Sequence, residues 1–246
     1  MGNEKVVAII PARYGSTRLP GKPLININGM PMVLHVYTRA KELKGINEVA
    51  VATDHEKILE TVIEAGGKAF MTDPSHPSGT DRIAEVARLL NLAGSDIVIN
   101  IQGDQPFFQE DMIYGPLKLL QSNKEFAMTT VACPMTRDMA ADPNRVKVIL
   151  DSDKRAIYFS RSCIPYDRDN LLQNKDKPYL RHLGLYVFRN SFLQTFVKLP
   201  PSKLEKIECL EQLRAIENGY SIGVALIDNA PLDVDTEEDL KILKEG

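Results

Sequence analysis

Apolar runs at residues 5–11, 48–53, 68–71, 96–101 and 127–132 alternate with amphipathic segments at 32–43, 56–65, 81–92 and 110–121. The runs are apolar at nearly every position rather than at every second one, the pattern of strands covered on both faces. The segments between them repeat their apolar residues at helical spacing. Strands alternating with helices dictate an α/β fold, a mostly parallel sheet flanked by helices. Ligands of such sheets bind in the crevice beyond the carboxyl ends of the strands, so the loops that follow the strands are the ones expected to carry function.

The rhythm changes after Arg145. Strand-like runs at 146–150 and 156–159 are followed by a polar stretch at 167–178 and another apolar run at 183–188. This predicts an inserted antiparallel arm, at about 156–188. Helical patterns then resume at 191–197 and 207–218, with a strand at 221–227 and a last helix from Thr236. No repeat, low-complexity tract or linker interrupts the chain. Its 246 residues, 43% of them hydrophobic, suffice for one large α/β domain or two small ones; a single domain over 1–246 is the expectation.

Charge narrows the function. Thirty Lys and Arg against 33 Asp and Glu leave a net charge of -3, with no global basic field to hold a nucleic-acid backbone. Any anion must be bound by a local cluster. Residues 1–5 are polar and lead straight into a strand, without the pattern of a signal peptide. No apolar run approaches the roughly 18–20 residues that cross a bilayer, so membrane insertion is not expected. Three scattered cysteines, Cys133, Cys163 and Cys209, lack metal-ligand spacing and fit a reducing cytoplasm.

The first strand runs into P-A-R-Y-G-S-T-R-L-P-G-K at 11–22, a loop with three cations, Arg13, Arg18 and Lys22, and two glycines. Such a loop suits a polyphosphate: glycine lets backbone amides approach phosphate oxygens, arginine supplies planar forks and lysine a mobile point charge. The dinucleotide fingerprint and the P-loop pattern are both absent, which argues against a nicotinamide enzyme and against a P-loop ATPase. The fourth apolar run ends in N-I-Q-G-D-Q-P, with Asp104 at the mouth of the expected crevice. Far along the chain, D-V-D-T-E-E-D at 233–239 precedes the last helix, where Asp235 or Thr236 also suits a helix N-cap. Two aspartates from separate loops supply the hard oxygens Mg2+ takes, completed by phosphate and water.

Taken in order, these strings resemble the 3-deoxy-manno-octulosonate cytidylyltransferase family over residues 6–243. Besides the first loop and N-I-Q-G-D-Q-P, the likeness rests on V-A-T-D at 51–54, S-G-T-D-R at 78–82, V-K-V-I-L-D at 146–151, Y-F-S-R at 158–161, R-H-L-G-L-Y at 181–186, L-E-Q-L-R at 210–214 and V-D-T-E-E-D-L at 234–240. The resemblance implies a sugar-nucleotidyltransferase fold, often homodimeric. It implies Arg13, Arg18 and Lys22 on the triphosphate of CTP, with Arg13 and Lys22 counted among the catalytic groups, and Asp104 and Asp235 on Mg2+. Ser78, Gly79 and Arg82 would flank the nucleotide. Gln102, Arg161, His182, Tyr186, Glu211 and Gln212 match positions that line the sugar-acid pocket. Alternative readings are core packing for Tyr186, a surface ion pair for Arg161, and a solvated helix face for Glu211 and Gln212. Two positions depart from the family: Gln105 stands where glutamate is commoner, and Asp233 where glycine is.

The implied reaction is attack by the anomeric hydroxyl of a 3-deoxy sugar acid on the α-phosphorus of CTP, with Mg2+ lowering the hydroxyl's pKa and pyrophosphate leaving. Positioning and charge neutralisation do most of such work, so neither a covalent nucleophile nor a histidine base is expected. The product would serve lipopolysaccharide assembly. The competing expectations are a cytidylyltransferase for another acidic sugar, such as 8-amino-octulosonate or a sialic acid, and a non-catalytic nucleotide-binding module of the same fold.

Overall fold

The computed structural model describes residues 4–15, 20–172 and 176–230. The chain groups into two compact units, the first drawn from Met1–Glu110 and Arg189–Val197, the second comprising Asp111–Phe188 and Lys198–Ala230.

In the first unit β1 (Val6–Ala12) is followed by a tight turn at Lys22–Leu24 and a two-residue hairpin, β2 (Asn26–Ile27) with β3 (Met30–Pro31). Then come α1 (Met32–Glu42), β4 (Glu48–Thr53), α2 (Glu56–Glu64), β5 (Ala69–Met71), α3 (Gly79–Leu89) and β6 (Ile97–Asn100). The strands lie in the order β6-β1-β4-β5, all parallel. Val7, Ala8, Ile9 and Ile10 of β1 are wholly buried, as are Val51 and Ala52 of β4 and Val98 and Ile99 of β6. Continuous apolarity thus reflects cover on both faces. The helices contribute one stripe each, such as Ile58 and Val62 of α2.

The second unit holds α4 (Asp111–Ser122), β7 (Phe126–Met135), the short α5 (Arg137–Ala141), β8 (Lys147–Leu150), β9 (Ala156–Ser160) and β10 (Tyr179–Arg189). β10 runs antiparallel to β7 and to β8, and β8 antiparallel to β9, so the expected antiparallel arm is present. β10 begins four residues before its apolar core at 183–188, because Tyr179 and His182 are buried as well. The chain then returns to the first unit with α6 (Asn190–Phe196), whose Asn190 N–H donates to the Asp96 carbonyl at 2.8 Å. The second unit is completed by α7 (Lys203–Glu208), α8 (Leu213–Glu217) and β11 (Ser221–Leu226), which pairs in parallel with β7.

The sequence reads as one helix over 207–218, but the structure has two. α7 opens at a capping box between Ser202 and Glu205 and ends on Cys209 in the left-handed region, φ 51° and ψ 48°. Stopping there frees the Glu208 and Cys209 carbonyls, and both accept from the Arg161 guanidinium. The last expected helix, with Asp233 and Asp235, and the loop residue Arg18 lie outside the described residues.

Candidate functional site

In the first unit the cationic loop folds back on itself at its base. The Tyr14 ring stacks on His55, 3.9 Å between centroids and 14° from parallel, and the Tyr14 N–H donates to Asp54 at 3.2 Å. The Gly21 N–H donates to the Tyr14 carbonyl at 3.0 Å, closing the loop. Arg13, just past β1, is exposed. Lys22 stands at the loop's other end, and its Nζ donates to Asp104 Oδ2 at 2.9 Å. A Cβ on Gly103 would come within 2.7 Å of the Pro11 carbonyl, so only glycine lets the turn after β6 run this close to the end of β1. That close approach sets Asp104 beside Lys22. The Asp104 side chain is 43% exposed and has no other bond among the described residues. A carboxylate with its second oxygen open fits a hard cation such as Mg2+.

The S-G-T-D-R segment is tied into the fold at several points. The Ser78 hydroxyl caps α3, accepting from the Thr80 and Asp81 amides and donating to Asp81 Oδ2 at 2.7 Å. Arg82 is buried and paired with Asp54 of V-A-T-D at 2.9 Å, with a further bond to Thr72. It ties two motif-bearing loops together. Gly79, at the start of α3, has room for a Cβ only at 3.4 Å from the Pro11 ring. Gln102 is half-buried in the turn before Asp104 and its carbonyl accepts from the Gln105 N–H.

In the second unit Arg161 is held from three sides. Its Nε donates to the Glu208 carbonyl at 2.8 Å, Nη1 to Pro143 at 3.1 Å and Nη2 to Cys209 at 3.3 Å. Its backbone N–H donates to Glu208 Oε2 at 2.9 Å, while Glu208 Oε1 accepts from Ser160 at 2.6 Å and from Tyr158 at 3.4 Å. Burial pushes the Glu208 carboxyl up, but these donors, Ser160 foremost, outweigh it and hold its pKa below the ordinary carboxylate value. Lys147 is completely buried and donates to the Asp142 carbonyl and to the Arg161 carbonyl at 2.5 Å; burial depresses its pKa. Arg161 is therefore fixed by backbone acceptors, and not a surface ion pair.

His182, Tyr186 and Gln212 form a buried group. The His182 ring meets Phe159 edge-on at 4.8 Å and lies 5.4 Å from Tyr186. Its Nε2 is 2.9 Å from Thr130 Oγ. Burial, then the nearby Arg181 charge, pushes its pKa down to about 3, so the ring is neutral at physiological pH. The Tyr186 hydroxyl donates to Gln212 Oε1 at 3.0 Å, and burial, with Glu211 adding its charge, raises the phenol well above its usual value. Gln212 Nε2 is buried with no hydrogen-bond acceptor among the described residues, so a further acceptor suits it. Gln212 is not on a solvated helix face.

Three residues of this arrangement were not singled out from sequence. Lys147 had a signal, as the one charge in the apolar run 146–150. Thr130 and Glu208 had none, because their partners lie 52 and 48 residues away.

The same architecture recurs in solved structures. A CMP:2-keto-3-deoxy-manno-octonic acid synthetase complexed with CTP superposes with a TM-score of 0.91 at 40% identity, over 98% of each chain. A putative glucose-1-phosphate thymidylyltransferase from Bacillus anthracis, at 16% identity and TM-score 0.66, shares the fold. A 3-deoxy-manno-octulosonate cytidylyltransferase from Syntrophobacter fumaroxidans is 49% identical over 96% of this chain and 94% of its own. An 8-amino-3,8-dideoxy-manno-octulosonate cytidylyltransferase from Shewanella sp. W3-18-1 is 46% identical over 96% of this chain and 95% of its own. The sequence pattern of the cytidylyltransferase family matches residues 7–222, which takes in both the Lys22–Asp104 pair and the His182–Tyr186–Gln212 group, and the chain belongs to that family.

Proposed function

We propose that this protein transfers CMP from CTP to the anomeric hydroxyl of 3-deoxy-manno-octulosonate in a Mg2+-dependent reaction, releasing pyrophosphate. The carrying observation is the Lys22–Asp104 pair, which joins a cationic loop to a carboxylate in a chain closely related to an octulosonate cytidylyltransferase. The sugar's anomeric oxygen forms a bond to the α-phosphorus, the bond from that phosphorus to the β-bridging oxygen breaks, and the hydroxyl proton is lost to solvent. Arg13, Arg18 and Lys22 take the triphosphate and neutralise the charge that grows on the leaving pyrophosphate. Ser78 and Gly79 shape the nucleotide's surroundings, and Arg82 acts through Asp54 to hold them. Asp104, with Asp235, would hold Mg2+, which when bound supplies Lewis acidity at phosphate and hydroxyl oxygens. Of the residues that the family resemblance assigns to the sugar acid, Gln102 lies in the first unit and Arg161, His182, Tyr186, Glu211 and Gln212 in the second; the Arg161 guanidinium suits the sugar's carboxylate.

Function in lipopolysaccharide assembly in the cytoplasm follows from this reaction, and the free thiols of Cys163 and Cys209 on the surface suit a reducing compartment. A second reading, the 8-amino sugar as acceptor, is favoured by the Shewanella relatives. The deciding experiment incubates the enzyme with CTP, Mg2+ and each sugar acid in turn, resolving the CMP-sugar by chromatography and measuring pyrophosphate. Octulosonate is expected to be used. Preference for the 8-amino sugar replaces the acceptor, and no product from any sugar acid removes the reading.

A further inference from the structure

The Thr130 hydroxyl touches two partners and has one proton. Its Oγ lies 2.5 Å from the Leu185 carbonyl and 2.9 Å from His182 Nε2. A carbonyl only accepts, so at 2.5 Å the Thr130 proton must lie on that line; otherwise two oxygen lone pairs would face each other. Thr130 Oγ then has only lone pairs to offer His182, and Nε2 must carry the ring proton and donate. A neutral imidazole has a single N–H, which leaves Nδ1 as a bare acceptor. His182 Nδ1 has no hydrogen bond among the described residues.

The arrangement is built into the sheet. Pairing of β10 with β7 is broken between His182, opposite Ala132, and Tyr186, opposite Thr130. Gly184 sits inside the bulge at φ +71°. In an unbroken strand, side chains four residues apart stand about 13 Å apart. The bulge brings the His182 and Tyr186 rings to 5.4 Å and turns the Leu185 carbonyl onto Thr130.

We infer that Thr130 is a positioning residue: by committing its proton to Leu185 it locks His182 in the Nε2–H tautomer, so that Nδ1 accepts a hydrogen bond from a hydroxyl of the sugar acid. This rests on the reading of His182 as part of the sugar site. The low pKa of His182 keeps the ring neutral, so the lone pair persists across the working pH range.

The test pairs a spectroscopic readout, which needs no substrate, with kinetics. Long-range proton–nitrogen spectra of the free enzyme, with the His182 signals among the four histidines assigned from a His182→Gln variant, should show Nε2 protonated and Nδ1 bare. Thr130→Val should mix or reverse the tautomer and raise KM for the sugar acid about tenfold, as for one lost hydrogen bond, with KM for CTP changed by less than about twofold. Thr130→Ser, which keeps the hydroxyl, should restore both tautomer and KM. A protonated Nδ1 in the wild-type enzyme overturns the proposal whatever the substrate. A bare Nδ1 with equal losses for CTP and sugar in Thr130→Val, or no rescue by serine, overturns the positioning role. Failure of the wild-type enzyme with every sugar acid removes the hydroxyl acceptor along with the functional reading, while the spectra still decide the tautomer.

Discussion

Lys22 and Asp104 are 82 residues apart in sequence and 2.9 Å apart in space. If Lys22 serves the triphosphate, Lys22→Ala should raise KM for CTP by roughly 10- to 100-fold, the equivalent of about 1.5–3 kcal/mol for a charged hydrogen bond, while affinity for cytidine changes little. If Asp104 holds the metal, Asp104→Asn should cut kcat at least about 100-fold while circular dichroism shows a folded protein. Steady-state kinetics separates the two effects. His182 gives a different signature. Its folded pKa, about 3, lies below the ordinary value of 6.5. Between those values the unfolded chain binds the proton and the native one does not, so stability rises with pH there, is complete above 6.5 and is lost as pH falls through 3. Denaturant titrations should show His182→Gln flattening that acid limb, and turnover should show no titration of His182 between about pH 5 and 9.

At the scale of elements, two irregularities shape the residues proposed to receive the sugar acid. One is the bulge in β10. Gly184→Ala forces a Cβ into the left-handed region, where L-residues are disfavoured by about 1–2 kcal/mol. It should lower unfolding free energy by about that amount and raise KM for the sugar acid more than for CTP. The other is the break between α7 and α8, which offers two helix-end carbonyls to Arg161. Apolar spacing at 207–218 carries no sign of it, because a helix that stops for a partner 48 residues away keeps its local period. The bulge is half-legible: a glycine within an apolar run marks a bulge, but not which carbonyl it turns.

For the molecule as a whole, the arm leaves large apolar side chains in solvent. Tyr166 is 87% exposed, Leu171 79% and Ile157 55%, and Ile207 of α7 is 67% exposed. Large apolar side chains left in solvent suit an interface, and the homodimer implied by the family resemblance is the proposed occupant. Sedimentation at micromolar concentration should give a dimer, and Ile157→Asp with Leu171→Asp should shift it to monomer without unfolding. A wild-type monomer at that concentration removes the dimer.

Sequence alone determined the α/β class, because burial on both faces demands unbroken apolar runs and amphipathic helices must alternate with them. It also pointed to the loops that follow the strands, since a parallel sheet presents its ligands to that part of the chain. The placement of Lys22 and Asp104 in two such loops was legible for that reason. Tertiary structure decided what each side chain is spent on. Arg82 proved to be a buried tie to Asp54, and Arg161 a group clamped by helix-end carbonyls. Thr130, silent in an apolar strand, came to dictate the proton of His182. Hydrogen bonds are directional and act over about 3 Å, so their partners are set by where the chain returns in space, which local pattern does not encode.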